Sequence, residues 1–294
     1  MGRAKSKIVI VGAGGRLGAA LARIYGESHA VIGFNHKQLD LADAEQLRAT
    51  LADCSFDVLI NAAALTNVDY CESHREEAMR LNAEAPRVLA EICGKKKARF
   101  IHVSTDYVFD GMKRTPYAEE DPAEPISVYG ESKRAGEIGA LRANDLALII
   151  RVSWVFGPDR PSFIDAILER ARSEEHVAAV ADKFSTPTYT LDIAALLSPL
   201  LLSDAVSGIL HLANRGACSW QEYAQWALDC CHRQGLAMKA KSVGAASLGE
   251  MKKFVACRPV YTVLASRKYE QLTGRGPRDW HEAVEQYVRE HYRA

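Results

Sequence analysis

Tyr129 and Lys133 stand four residues apart in "VYGESKRAGE". On a helix this spacing projects both side chains from one face, one turn apart. A tyrosine near its ordinary pKa of about 10 is a poor acid or base at neutrality. A nearby ammonium favours the phenolate and brings the phenol towards the working range. Upstream, "VSTDYVFDG" (103–111) sets Thr105 and Asp106 where a strand-like run ends. Thr105 can donate a hydrogen bond to a substrate oxygen there, while Asp106 can cap the turn. Thr105, Tyr129 and Lys133 together suit reversible hydride transfer between a secondary alcohol and a nicotinamide. A lone Y-x-x-x-K usually marks a solvated helix face, so the rest of the chain has to support the catalytic reading.

That support comes from "VGAGGRLG" (11–18), which ends an apolar run and opens a helical one. Gly12, Gly15 and Gly18 keep a three-residue spacing, whereas a G-x-G-x-x-G frame would end on Leu17. Either frame serves one need: backbone close to a pyrophosphate, a helix N-terminus aimed at it, and a small residue where helix meets strand. After the next apolar run, "FNHKQLDLAD" (34–43) has no acid at Phe34, Asn35 or His36, where one would hold the ribose of NAD. Lys37, with His36 and Arg16, can instead attract a 2′-phosphate, so the expected cofactor is NADPH, with NADH as the alternative. Asp40 and Leu41 of the same stretch are assigned to the cofactor crevice.

The elements that must position these residues follow from periodicity. "KIVIVG", "AVIGF", "DVLINAAA", "RFIHVST" and "LALIIRVSWVF" read as buried parallel strands separated by helical segments. Strict alternation predicts a doubly wound α/β sheet with its ligand outside the carboxyl ends of the strands. The expected division is a dinucleotide-binding domain over 1–157, its sheet completed by about 177–215. A smaller substrate lobe is expected over 216–294 together with about 158–176.

The 294 residues can bury a sizeable core, and 37 basic residues cancel 37 acidic ones. Neither nucleic acid nor a membrane is an expected partner, and no run reaches transmembrane length. Seven cysteines without ligand-like spacing point to reduced thiols and a cytoplasmic setting. A small-molecule enzyme is the expectation, with a homodimer as an allowed assembly.

Taken in order, "GAGGRLG", "DVLINAAALTNVDYCE", "VSTDYVFDG", "SVYGESKRAGE", "RVSWVFG", "DKFSTPTYTLDIA" and "ACRPVYTVL" resemble the extended short-chain dehydrogenase/reductases, and more closely the dTDP-4-dehydrorhamnose reductase family. The resemblance spans nearly the whole chain. It implies a catalytic group of Thr105, Tyr129 and Lys133, with Asn61, Ala62, Ala63 and Ala64 along the cofactor crevice. Asp106 would touch a substrate hydroxyl or support the residues that do, Trp154 would border the nicotinamide and the sugar, and Arg258 would bind the diphosphate of the nucleotide sugar. The implied reaction is NADPH-dependent reduction of the 4-keto group of dTDP-4-dehydro-6-deoxy-L-mannose to dTDP-L-rhamnose.

Two departures bear on the substrate. Asp182-Lys183-Phe184-Ser185 stands where the family commonly has Asp-Gln-x-Gly, and Leu191 replaces an acidic position that holds a metal in some members. No metal site is expected. Three rival readings exist. A sugar-nucleotide 4,6-dehydratase needs a second carboxylate that Thr105-Asp106-Tyr107 lacks. A reductase or epimerase of another nucleotide sugar would keep the same site. A non-catalytic subunit similar to the methionine adenosyltransferase regulatory subunit would bind NADP without turnover.

Overall fold

The computed structural model describes residues 5–293. In chain order its strands are β1 (Lys7–Val11), β2 (Ala30–Phe34), β3 (Val58–Asn61), β4 (Arg99–Thr105), β5 (Leu148–Val152), β6 (Val155–Phe156), β7 (Val177–Val180), β8 (Phe184–Ser185), β9 (Thr188–Tyr189), β10 (Gly208–His211), β11 (Cys218–Ser219) and β12 (Val243–Ala246). The α-helices are α1 (Arg16–Gly26), α2 (Ala44–Ala52), α3 (Val68–Ser73), α4 (Arg75–Met79), α5 (Ala85–Lys96), α6 (Val128–Ala143), α7 (Phe163–Ser173), α8 (Thr190–Leu197), α9 (Trp220–Arg233), α10 (Arg267–Thr273) and α11 (Trp280–His291).

Six strands form one sheet in the order β10-β5-β4-β3-β1-β2, with every neighbouring pair parallel. Period-two alternation splits its apolar residues between two cores. Ile8 and Ile10 pack with Leu17 and Leu21 of α1 and Leu197 of α8. Val9 and Val11 face the opposite way, towards Leu47 of α2 and Val88 and Leu89 of α5. Helices on both faces make this a doubly wound α/β fold. From β1 the chain crosses to β2 on one side and returns to β3 on the other, so the strand order reverses between β1 and β3. A crevice opens where such carboxyl ends part.

Several sequence expectations are altered by the tertiary arrangement. The run "AVIGF" forms β2, but as an edge strand it leaves Ile32 40% exposed. The long run 146–156 is two strands, broken where Trp154 turns to φ +37°. Of the segment expected to complete the sheet at about 177–215, only β10 does so, pairing with β5. β7 pairs with β12 instead, because its apolar side joins a third core built by α7, α9 and α11 around Ile167, Leu228, Tyr223 and Val284. Among the described residues no helix is long and apolar enough to cross a membrane.

Candidate active site

The glycine loop packs backbone to backbone against the residues that follow β3. Gly12 has φ +87°, and a Cβ on it would lie 2.7 Å from Ala63 N and 2.9 Å from Ala62 C. A Cβ on Gly18 would strike the Gly12 carbonyl oxygen. Both positions therefore need glycine, for conformation and for close approach. The loop is pinned by Gly12 N–H donating to Phe34 O at 2.8 Å and Gly15 N–H to Gly12 O at 2.9 Å. Gly15 precedes α1 and caps it with no side chain, so the first-turn amides stay open to an anion. This cradle fits a dinucleotide pyrophosphate.

At the start of α6, Ser127 Oγ accepts from Gly130 N–H at 3.2 Å. Helical phase then carries Tyr129 and Lys133 onto the buried side, 8% and 2% exposed. A cleft of about 910 Å³ joins the two regions. Its walls include Gly12, Gly15, Arg16, Leu17, Lys37, Asp40, Leu41, Ala62, Ala63 and Ala64 at one end, and Thr105, Asp106, Tyr129, Lys133 and Trp154 at the other. Gly18 and Asn61 stand behind that wall, Gly18 against the Gly12 turn and Asn61 with its Oδ1 accepting from Ala63 N–H at 3.1 Å.

Local contacts change four of the expected roles. Burial raises the Tyr129 pKa, and the Thr105 hydroxyl opposes this only in part. Lys133 does not offset it, because its Nζ donates to Val103 O at 2.7 Å and lies 3.3 Å from His102 Nε2. Tyr129 is thus a neutral phenol, a proton donor rather than a primed phenolate. Burial lowers Lys133 itself to about 8. Thr105 Oγ1 donates to Asp106 Oδ1 at 3.1 Å and accepts from Tyr107 N–H at 3.2 Å, so its hydroxyl is shared between Asp106 and the Tyr129 phenol.

Asp106 caps no turn. Its Oδ2 accepts from Ser153 at 3.1 Å, Ser185 at 2.9 Å and Thr262 at 2.6 Å, tying the ends of β4, β5 and β8 to the C-terminal segment. The ammonium of Lys183 lies nearby, fully buried, donating to Pro259 O at 2.6 Å and standing 5.0 Å and 5.9 Å from the Tyr107 and Trp154 rings.

Two expected cations are already committed. Arg16 donates to the carbonyls of Val155, Arg160 and Pro161, which leaves Lys37 beside Asn35 and His36 at the cleft end. Arg160, which nothing in its loop sequence marks, lines the cleft and donates to Gly14 O at 2.9 Å. Arg258 is not part of the cleft wall. Its guanidinium grips Asp69 at 3.0 Å and 2.6 Å and covers the Phe254 ring at 3.6 Å. Asp69 also accepts from Val255 and Ala256 N–H, and the Arg258 hydrogen bonds hold its pKa down at about 2. Arg258 is therefore a pin between α3 and the C-terminal segment.

Residues 6–293 match the model of the family described as the RmlD substrate binding domain. A dTDP-4-dehydrorhamnose reductase of Mycolicibacterium smegmatis is 35% identical over 285 residues, covering 96% of this chain and 85% of that protein. A probable dTDP-4,6-dihydroxy-2-methyloxan-3-one 4-ketoreductase of Streptomyces antibioticus is 37% identical over 279 residues, covering 94% and 92%. The crystal structure of dTDP-4-dehydrorhamnose reductase from Bacillus anthracis in complex with NADP superposes with a TM-score of 0.92 at 29% identity, over 97% of this chain and 99% of that one. With agreement over nearly the full length in sequence and in fold, the chain belongs to the dTDP-4-dehydrorhamnose reductase family, that of the RmlD substrate binding domain.

Proposed function

We propose that this chain catalyses NADPH-dependent reduction of the 4-keto group of a dTDP-4-dehydro-6-deoxyhexose, with dTDP-4-dehydrorhamnose to dTDP-L-rhamnose as the first choice of substrate. The observation that carries the proposal is the convergence of Thr105, Tyr129 and Lys133 on the cleft that the glycine loop opens. The sheet half takes the cofactor, the lobe of α7, α9 and α11 closes over the nucleotide sugar, and the expected setting is the cytoplasm.

The cradle of Gly12, Gly15 and the α1 N-terminus would hold the pyrophosphate, and Lys37 and Arg160 supply cations near its ribose end. NADPH supplies the hydride when bound. Tyr129, kept neutral by burial, gives its proton to the developing C4 alkoxide, the form required for reduction. Thr105 orients that oxygen once its hydroxyl turns from Asp106. Lys133 steadies the nicotinamide ribose and returns a proton to Tyr129. Trp154, whose buried indole N–H has no partner among the described residues, borders the sugar.

The test is to incubate the full chain with NADPH and a panel of 4-keto nucleotide sugars while following the absorbance of reduced nicotinamide. The panel includes dTDP-4-dehydrorhamnose and the ketone named for the Streptomyces relative. Oxidation with one or more members supports a reductase and identifies the sugar. Tight NADPH binding with no turnover across the panel sinks the reductase reading in favour of a binding subunit.

A further inference from the structure

A buried chain of polar groups runs behind the cleft from the cofactor loop to Lys133. It passes through two residues, Asn61 and His102, that are fully buried and do not line the cleft. Ala63 N–H donates to Asn61 Oδ1 at 3.1 Å. That bond fixes the amide, so Asn61 Nδ2 donates to His102 Nδ1 at 3.1 Å. A neutral imidazole whose Nδ1 accepts must carry its proton on Nε2, and Nε2 faces Lys133 Nζ at 3.3 Å. The partner suited to an N–H donor is an amine with a lone pair.

We propose that Asn61 and His102 are positioning residues that control whether Lys133 holds its proton and couple that proton to the cofactor loop at Ala63. The deepening rests on the role proposed above for Lys133. With Lys133 neutral, each contact along the chain, from Ala63 to Asn61, Asn61 to His102 and His102 to Lys133, sets a donor against an acceptor. When one proton is added to the pair, the matched arrangement becomes an ammonium donating to Nε2 and an imidazole that carries its proton on Nδ1. Nδ1–H then points at the Asn61 amide protons, and the amide relieves this by rotating and releasing Ala63 N–H, in competition with the Asn61 backbone carbonyl, which also bonds the imidazole. Charging Lys133 therefore loosens the Ala63 backbone, which is where the cofactor crevice lies.

Other charges do not override this coupling. Lys133 faces His102 on β4, and Tyr129 and Glu137 one turn either side on α6. Glu137 is already held by Arg151 from β5 at 2.8 Å, by Arg134, and by Ser104 Oγ at 2.6 Å. Burial depresses the basicity of both His102 and Lys133, in agreement with a neutral pair above a pH of about 8.

The experiment is a nitrogen NMR titration of full-length protein labelled with ¹⁵N-histidine, without substrate, from about pH 6 to about pH 10, which brackets neutrality up to the ordinary lysine range. Imidazole nitrogen shifts distinguish the two tautomers, and the His102 signals among the nine histidines are those missing from His102→Gln. Should that variant not fold, His102→Asn serves for assignment. The expected result is an Nε2–H tautomer at high pH that converts to Nδ1–H with a midpoint near 8. In Lys133→Met the Nε2–H form should persist across the range. An Nδ1–H tautomer at every pH, or the same conversion in Lys133→Met, overturns the proposal. Neither outcome touches the reductase reading, which stands or falls on turnover.

Discussion

Two buried lysines, Lys133 and Lys183, meet nearly the same physical fate in two different surroundings. Both are at most 2% exposed, and burial brings both down to about 8. Lys133 lies on the cleft wall, with one bond to Val103 O and a titratable neighbour in His102. Lys183 has no opening to the cleft. It ends on Pro259 O between aromatic rings, with Asp106 as the anion that supports its charge. Burial alone therefore does not mark a reactive lysine. What differs is access to a reacting group and a partner that can exchange a proton.

The largest expected effect tests the cleft side of this contrast. Tyr129→Phe should lower kcat by ~10²- to 10⁴-fold, the usual worth of a positioned general acid, while the NADPH Kd barely moves. Steady-state kinetics with fluorescence titration of NADPH checks it, and near-normal turnover would remove Tyr129 from its role.

Next come the lysines themselves. Lys133→Met should cut turnover and weaken NADPH together, whereas Lys183→Met should leave NADPH affinity intact. The stability effect should run the other way for Lys183. Its folded pKa is below the unfolded value, so between about 8 and the ordinary 10.5 the unfolded chain holds more protons and wild-type stability rises with pH. At pH 7 the penalty is on the order of 3 kcal/mol, offset by roughly 1 kcal/mol for the bond to Pro259 O. Urea unfolding should thus find wild type gaining stability relative to Lys183→Met as pH rises from about 8 to about 10.5. A variant less stable across that whole range would mean that Lys183 serves Asp106 more than it costs.

A smaller effect is expected at the Arg258 pin. Arg258→Ala removes a partly buried ion pair and leaves Asp69 with its backbone donors, so a stability loss of roughly 1 to 3 kcal/mol is expected by thermal or urea unfolding. If Arg258 is a pin, Asp69→Asn should reproduce part of that loss. If instead it binds the diphosphate, Arg258→Ala should raise the sugar-nucleotide KM and Asp69→Asn should not.

The mildest expectation concerns cofactor choice. Lys37→Ala should narrow the preference for NADPH over NADH by several-fold, a loss of about 1 kcal/mol typical of an exposed charge contact. Equal titrations of the two cofactors against wild type and variant would place the 2′-phosphate elsewhere, with Arg160 the next residue to change.

The amino-acid sequence by itself determined the alternating α/β architecture, the glycine loop and the Tyr129 and Lys133 face. Each of these is a local pattern: apolar period, turn chemistry that only glycine permits at Gly12, and i, i+4 spacing. It was equally informative that no acid follows β2. Tertiary structure alone decided what those side chains touch. Arg16 read as free, but it is spent on carbonyls more than a hundred residues away, and Arg258 on Asp69 far back in the chain. The break at Trp154 split one apolar run into β5 and β6, and the pairing of β7 with β12 rested on packing against α9. His102 sits inside a strand run as any filler residue might. Its meeting with Asn61 on one side and Lys133 on the other depends on register between β3 and β4 and on how α6 lies across them. Hydrogen-bond partners and charge states are long-range properties, because burial and counter-ions come from segments brought together only by folding.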